Sequence, residues 1–470
     1  MTISQTITPT TSNNWLEKLG HSVAAKAILA FIIVLPLHSL IMTILLAQLK
    51  LPFGIVRGIA AWKEVLLGLT FGIAMLALVW RYLHYQPLRL IWVDWVALAW
   101  VALVIVYFGL QDDVLNARPN LIGKAYGARD WLLYTMPYFI GRLLPFSQKQ
   151  IKRILQSIFG VGLFTCIIAI FEYFFVPIEW HVRLGVPIYF RDFLNTYVLE
   201  WLYNLPSNYW IEATPTTVLR RAVSVYLSGQ GFALPFLVII PVTVHLFCCK
   251  PTLTRGAAAV IVFAGLALNL TRMTIIAGFL EALLVILIHR NWKLMLAVII
   301  GASIGLGVGM AASPKIRSFV TRSISGQETS IGTRGAQWVE GMTDLAQYPL
   351  GHGLGFSGQV GYRTSKVVVD GQGQEAGYLK LTGDLGLPGL ALFIAWFVGI
   401  LVTAFAVIRR PKISDQDLGN PRDLAIVVFT IALGFLLNNV AAPPDQSPFV
   451  IYLFPWLAGC LVAWQQQFKA

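Results

Sequence analysis

The chain carries little charge for its length. Only 12% of its 470 residues are charged, whereas 57% are hydrophobic and the mean hydropathy is +0.70. An ordinary soluble protein is excluded, because no water-soluble core could bury so much apolar surface. The composition predicts an all-α polytopic membrane protein, with one transmembrane domain over residues 1–470.

Cysteine is also scarce. The four cysteines, of which Cys248 and Cys249 are adjacent, form neither a disulfide framework nor a CxxC metal-site pattern. Asp112 and Asp113 form a close acidic pair, but two adjacent carboxylates are poor evidence for a metal. We therefore predict neither a metal nor another cofactor.

The first twenty or so residues lack a basic region and a small-residue cleavage site, and they are rich in Ser, Thr and Asn. We expect them to be a cytoplasmic tail and not a signal peptide.

A spanning helix needs about 20 mainly apolar residues, and roughly twelve stretches are candidates. Lys63, Glu64, Asp94 and Arg129 fall within these stretches, and some of them are expected to pair inside the bundle. The predicted spans are approximately 25–48, 59–80, 91–110, 128–144, 154–175, 222–247, 256–271, 272–289, 293–312, 387–408, 423–441 and 449–465.

The net charge of +13 is spread over short connections between these spans. With twelve spans, the five basic connections fall on the same side as both termini. The positive-inside rule then makes the termini cytoplasmic and places a segment over 176–221 and a large loop over 313–386, between spans nine and ten, outside. A nucleic-acid-binding protein would instead gather its basic residues on one soluble module. The basic connections are 81–89, 147–153, 249–255, 289–293 and 409–412.

The two outer segments differ in character. The aromatic stretch PIYFRDFLNTYVLEWLYNLP in 176–221 favours an amphipathic helix, either in the headgroup region or packed on the membrane domain. The 313–386 loop predicts a short helix from Arg334 to about Gln347, followed by a glycine-rich turn at 349–355.

Arginines at the outer face are the strongest candidates for ligand binding. Arg220 and Arg221 precede the sixth span, Arg272 separates two short apolar runs, and Arg334 lies in the outer loop four residues before Trp338. Guanidinium groups bind phosphate oxygens through paired hydrogen bonds and stay charged, so converging arginines would suit a pyrophosphate. The alternatives are an interfacial anchor for the Arg220–Arg221 pair and, for Arg272, snorkelling or an ion pair with Glu281.

Two residues of the large loop are candidates for a general base. Glu375 precedes the tenth span and would act if its surroundings raised its pKa, and a solvated loop carboxylate is the alternative. His352 is the competing base, although a histidine between glycines is more often a turn residue. Gly351, Gly353 and Gly355 permit a tight backbone path or form an anion-binding nest.

Five segments together resemble the bacterial O-antigen ligase and O-antigen polymerase family of membrane glycosyltransferases. They occur in the order of that family, with a large outer loop before the last spans. The segments are RAVSVYLSGQG at 221–231, LTR at 270–272, TRGAQW at 333–338, YPLGHGLG at 348–355 and EAGYLKLTGDLGLPGL at 375–390.

The resemblance implies metal-independent, inverting transfer of a glycan from an undecaprenyl-pyrophosphate donor to an acceptor hydroxyl, at the outer face of the bacterial inner membrane. Arg221, Arg272 and Arg334 would then hold the donor phosphates. We predict Glu375 and Arg334 as the catalytic residues, and His352, Trp338 and Tyr378 are further candidates for the site. Ligases typically have His in an HNxYL-like stretch where this chain has Glu375. That difference favours a polymerase or ligase for an exopolysaccharide or another surface glycan, which other polysaccharide-assembly proteins would accompany.

A secondary transporter and a flippase for lipid-linked glycans are the alternative functions. A two-halves transporter would carry its long loop in the cytoplasm between spans six and seven, but that connection is short here. A flippase would need cations for pyrophosphate, but it would not need a structured outer loop with a base.

Overall fold

The computed structural model describes residues 15–84, 88–110, 115, 120–196, 198–214, 217–326, 329–358, 360–361, 376–410, 418–443 and 446–467. Helices dominate this part of the chain, and strands occur in it only as two short antiparallel pairs.

Within the described residues, eight helices are long and apolar enough to cross a membrane, which confirms a helical, multi-pass membrane protein. A ninth candidate consists of α1 (Trp15–Val34) and the segment His38–Gln48, which meet at a bend of 67°. The eight helices are Phe53–Leu83, Trp92–Gly109, Gln148–Phe175, Gly229–Cys249, Trp292–Ala312, Gly377–Ile408, Pro421–Asn438 and Pro448–Gln466.

Three of the twelve predicted spans have shorter counterparts. The stretch 128–144 is divided between two helices, Leu121–Leu132 and Thr135–Leu143. The two stretches on either side of residue 271 form the 17-residue helices Leu253–Asn269 and Arg272–Ile288. The number of spans and their orientation stay predictions.

Close helix packing surrounds the buried C-terminal helix. A Cβ on Gly141 would lie 2.1 Å from the Trp456 carbonyl oxygen, and one on Gly459 would lie 2.0 Å from that of Tyr138. These glycines therefore allow the helices Thr135–Leu143 and Pro448–Gln467 to approach backbone to backbone.

Charged residues inside the bundle pair as expected. Arg142 Nε lies 3.2 Å from Asp94 Oδ1, and both side chains are buried. Glu64 lies 3.6 Å from Lys63 and 4.0 Å from Arg129. Pairing offsets the cost of placing these ions in an apolar region.

The 176–221 segment differs from the expected amphipathic helix. Helix Ile178–Leu184 and the π-helical turn Ile188–Phe193 precede two strand pairs. Left-handed backbone at Asn195, Tyr203 and Asn204 ends the helical path, because a continuous helix cannot include such residues. The strands are β1 (Val198–Leu199), β2 (Leu205–Pro206), β3 (Trp210–Thr214) and β4 (Thr217–Arg220).

The described part of the large loop is mostly helical. Helix Pro314–Ser325 precedes helix Thr329–Gln347, which confirms the helix predicted from Arg334 and begins it five residues earlier. The next helix begins at Gly377, so the last part of the predicted loop is helical. Gly386, at φ 60° and ψ −157°, breaks this helix immediately before the predicted span 387–408.

Candidate active site

Arg221 is joined to the break between two apolar helices. The backbone turns left-handed at Leu270, with φ 58°, so that one helix ends at Asn269 and the next begins at Arg272. Arg221 Nε donates to the Asn269 carbonyl oxygen at 2.9 Å, and its guanidinium also donates to the Thr271 hydroxyl. The Arg221 guanidinium therefore lies beside the residue that precedes Arg272.

Asn269 holds this junction in place. Its fully buried side-chain amide donates to the carbonyl oxygens of Ala222, at 2.9 Å, and Gly229, at 2.7 Å. The Ala222 N–H donates in turn to the Leu268 carbonyl oxygen at 3.0 Å. The RAVSVYLSGQG and LTR segments are therefore one structural unit.

Arg272 lies at the N-terminal end of its helix and beneath the outer loop. Its guanidinium carbon is 5.4 Å from the centroid of the Phe319 ring, which belongs to helix Pro314–Ser325 and is buried. The alternative ion pair with Glu281 does not fit this helix, since nine residues separate the two positions by roughly 13 Å along the axis. Cation–π contact with Phe319 instead orients the guanidinium.

Arg220 is engaged in an internal ion pair. Its guanidinium donates to Glu172 Oε1 and, at 2.8 Å, to the Val176 carbonyl oxygen. The other Glu172 oxygen accepts from the N–H groups of Val223, at 3.2 Å, and Ser224, at 3.1 Å. These contacts favour a structural role for Arg220 over the predicted contact with a phosphate.

A buried tyrosine adjoins this ion pair. The Tyr209 hydroxyl lies 3.3 Å from His181 Nδ1, and His181 Nε2 lies 3.3 Å from Glu172 Oε1. Burial raises the pKa of Tyr209 well above its usual range, so its hydroxyl stays neutral.

Arg334 and Trp338 lie one turn apart on helix Thr329–Gln347, as their spacing predicts. Trp338 Nε1 donates to the Val440 carbonyl oxygen at 3.1 Å, and Gly341 lies against Leu379. Arg334 is half-buried. The helix carrying this arginine therefore packs onto the C-terminal end of helix Pro421–Asn438.

The same end of helix Pro421–Asn438 contacts the helix that begins at Arg272. The Thr274 hydroxyl donates to Asn438 Oδ1 at 3.2 Å. Arg221, Arg272 and the helix bearing Arg334 thus gather at one end of the bundle.

His352 lies in the glycine turn and is buried, with its ring paired to a carboxylate. Its Nε2 lies 2.9 Å from both carboxylate oxygens of Asp344, and its N–H donates to the Gly383 carbonyl oxygen at 2.7 Å. Its ring lies between those of Tyr348 and Phe356, with centroid distances of 4.5 and 4.2 Å. These contacts fasten the glycine turn to the helix that begins at Gly377.

The turn glycines permit a tight backbone path, as predicted. Gly351, Gly353 and Gly355 have φ values of 73°, 94° and 77°. A Cβ on Gly355 would lie 2.2 Å from the Gly123 carbonyl oxygen, and one on Gly351 would lie 2.7 Å from the Gly386 nitrogen. A larger residue would separate these elements.

Three charged residues near the site, Asp344, Lys380 and Asp384, were not singled out from the sequence. Asp384 Oδ1 accepts from the Ser357 N–H at 2.8 Å, and Asp384 Oδ2 accepts from Trp131 Nε1 at 2.9 Å. Lys380 Nζ lies 3.8 Å from Asp130 Oδ2. Charges in the apolar start of a helix were the available signal for Lys380 and Asp384, whereas for Asp344 the sequence offers only its position eight residues before His352.

Two further candidates from the sequence are Tyr378, in helix Gly377–Ile408, and Glu375, which precedes that helix in the sequence. The Tyr378 hydroxyl donates to the Leu436 carbonyl oxygen at 2.8 Å, which joins two helices. Glu375 lies outside the described residues, as do Asp112 and Asp113. The described helix begins just beyond Glu375, and the Gly377 N–H donates to the Asn439 carbonyl oxygen at 2.8 Å.

A comparison with protein families identifies one segment. Residues 257–394 match the family model described as O-antigen ligase. The resemblance to the O-antigen ligase family is confirmed over these residues. The matched segment includes Arg272, Arg334 and His352 but begins after Arg221. No curated protein shows a significant match to the chain.

The family match supports glycosyl transfer of the O-antigen ligase or polymerase type in general, with a glycan donor and an acceptor. Together with the apolar helices, it indicates a multi-pass membrane enzyme.

Proposed function

We propose that this protein transfers a glycan from an undecaprenyl-pyrophosphate donor to an acceptor hydroxyl, with inversion at the anomeric carbon. It works in surface polysaccharide assembly, as a polymerase or ligase for O-antigen or exopolysaccharide. The observation that carries the proposal is the gathering of Arg221, Arg272 and the helix bearing Arg334 at one end of the membrane bundle.

The arginines hold the donor pyrophosphate. Arg272 lies at the N-terminal end of a helix, where the helix dipole favours an anion. Arg221 adds a second guanidinium through its contact with Thr271, and Arg334 adds a third from the outer loop. Charge-assisted hydrogen bonds of this kind contribute roughly 1.5 to 3 kcal/mol each.

Glu375 accepts the proton of the attacking hydroxyl. The acceptor oxygen forms a bond to the anomeric carbon as the bond to the pyrophosphate breaks, and undecaprenyl pyrophosphate leaves as an anion. Such a leaving group needs cations more than it needs an acid, so one base and the arginines suffice without a metal. His352 fits a base less well, because its ring is enclosed and bonded to Asp344.

The donor and the acceptor meet at the outer face of the bacterial inner membrane. The positive-inside rule supports this placement, because the basic connections 249–255 and 289–293 lie at the far ends of the helix that follows Arg221 and of the helix that begins at Arg272. The lipid tail of the donor stays in the membrane while its pyrophosphate reaches the arginines at the interface.

An assay with purified protein tests the proposal. The protein is incubated with an undecaprenyl-pyrophosphate-linked glycan and a glycan acceptor, and the new linkage is identified by NMR spectroscopy. We expect transfer with inverted anomeric configuration. The transfer should persist in the presence of EDTA. Movement of the lipid-linked glycan across vesicle membranes without a new glycosidic bond would instead identify a flippase.

A further inference from the structure

A second cluster of ligating side chains lies far from the arginines. His245 and Cys249 occupy the last turn of helix Phe236–Cys249, and His289 follows helix Arg272–Ile288. Because that second helix has 17 residues, His289 lies roughly 25 Å from Arg272 along its axis. The cluster is therefore separate from the proposed donor site.

Potential ligand atoms of the three side chains lie close together. One ligand atom from each of His245, Cys249 and His289 lies within 4.8 Å of the other two. His245 Nδ1 lies 3.1 Å from His289 Nε2. Two nitrogen ligands of a tetrahedral zinc ion stand about 3.3 Å apart, because each Zn–N bond is about 2.0 to 2.1 Å long. The histidine pair is thus close to the required separation.

A carboxylate supports the central histidine of the cluster. His245 Nε2 lies 3.3 Å from Asp423 Oδ1, and the other Asp423 oxygen accepts from the Gly419 N–H at 2.8 Å. Metal-binding histidines commonly donate their second ring N–H to such a carboxylate, which fixes the ring and its tautomer. His245 is completely buried, so its ring is held before any ion arrives.

We propose that His245, Cys249 and His289 bind Zn²⁺, with Asp423 as the residue that orients His245. His245 Nδ1, His289 Nε2 and the Cys249 thiolate would be the protein ligands, a set that suits zinc. Cys249 Sγ lies 3.5 Å from His245 Nε2, the ring nitrogen that faces Asp423, so the sulfur would rotate about its Cα–Cβ bond towards Nδ1 when the ion binds. Cys249 is exposed and His289 half-buried, which leaves the fourth position open to water. The ion would join the ends of three helices, those ending at Cys249 and Ile288 and the one beginning at Pro421.

Metal analysis of the full-length protein tests this site. The protein is purified in detergent without chelators, stripped with EDTA and titrated with Zn²⁺. We expect stoichiometric, EDTA-removable zinc and a rise of a few degrees in the midpoint of thermal unfolding when zinc is restored. With Co²⁺ as the probe, a thiolate-to-cobalt absorption band should report the Cys249 ligand.

Matched variants assign the signal to these residues. Cys249→Ser should abolish the thiolate band, and His289→Ala should reduce zinc affinity by tenfold or more. Cys248→Ser and His84→Ala, which alter a neighbouring cysteine and an exposed histidine, should behave as wild type. The site would be overturned if the wild type held no stoichiometric zinc. It would also be overturned if Cys249→Ser and His289→Ala both bound zinc as tightly as the wild type.

Removing zinc should leave glycosyl transfer per folded molecule unchanged, because the cluster and the arginines lie at opposite ends of the helices. Failure of the transferase proposal and failure of the zinc proposal are therefore separate results.

Discussion

Adjacent arginines have different surroundings at the residue scale. Arg220 ends strand β4 and bonds to Glu172, whereas Arg221 bonds to Asn269 and Thr271. Successive side chains along an extended chain point to opposite sides, so the two guanidinium groups diverge. The sequence predicts an arginine pair, but it does not reveal which member faces the helix junction, because the partners lie about fifty residues away.

Arg220→Met should lower stability while sparing catalysis. The substitution leaves the carboxylate of Glu172 buried without its cationic partner, and breaking a buried pair typically costs roughly 3 to 5 kcal/mol. Thermal unfolding in detergent should show a clear fall in the midpoint, with turnover per folded molecule retained. The exposed Arg183→Met variant is the control and should unfold like wild type. Normal stability but lost turnover in Arg220→Met would place Arg220 among the donor ligands.

Glu375→Gln should separate chemistry from binding. The amide keeps the size of the side chain but cannot accept the acceptor proton, so turnover should fall by about 10²-fold or more while donor affinity is kept. Glu375→His should retain part of the activity, because an imidazole can also act as a base. His352→Ala should lose far less turnover. A fully active Glu375→Gln together with an inactive His352→Ala would make His352 the base.

At the element scale, the main feature is the break at Gly386 in helix Gly377–Ile408. Gly386 has a left-handed φ of 60°, and a Cβ there would lie 2.4 Å from the backbone of Leu350. The glycine turn therefore packs directly against the break, and the Leu387 N–H donates to the Pro349 carbonyl oxygen at 2.8 Å. This contact orients the segment that begins at Gly377 relative to the rest of the helix.

Gly386→Ala should destabilise the protein by roughly 1 to 3 kcal/mol, since it combines backbone strain with contact against a fixed backbone. Gly332→Ala is the matched control on helix Thr329–Gln347, where no atom lies within 4 Å of the new Cβ. This control should be neutral or stabilising by up to about 1 kcal/mol. Equal midpoints of thermal unfolding for the two variants would show that the break tolerates a side chain.

Hydropathy predicted the helices better than their ends and bends. Apolar runs located the long helices, but the bend after Val34 and the division of 128–144 depend on packing that window averages do not contain. Positive φ angles at non-glycine residues such as Tyr203 carry no sequence signal and redirected the 176–221 segment. Within the site, the glycine turn was predictable from composition. The pairing of Asp384 with Trp131 was not, because it joins residues 253 positions apart.

Orientation in the membrane belongs to the whole molecule. Helix Trp292–Ala312 separates the basic connection at 289–293 from the outer loop, so reporter fusions on its two sides give a direct comparison. A phosphatase that requires export should be active when fused at Gln327 and inactive when fused at Arg290. Phosphatase activity at Arg290 and none at Gln327 would invert the topology and place the arginines in the cytoplasm.

The measurement that tests the central claim most directly is turnover of a lipid-pyrophosphate-linked glycan by purified Arg272→Lys protein. Lysine keeps the positive charge but loses the planar pair of donors, so we predict a large loss of turnover with normal folding. Arg317→Lys, an exposed arginine on the neighbouring outer helix, should turn over like wild type. Near-normal turnover by both Arg272→Lys and Arg272→Ala would contradict the account.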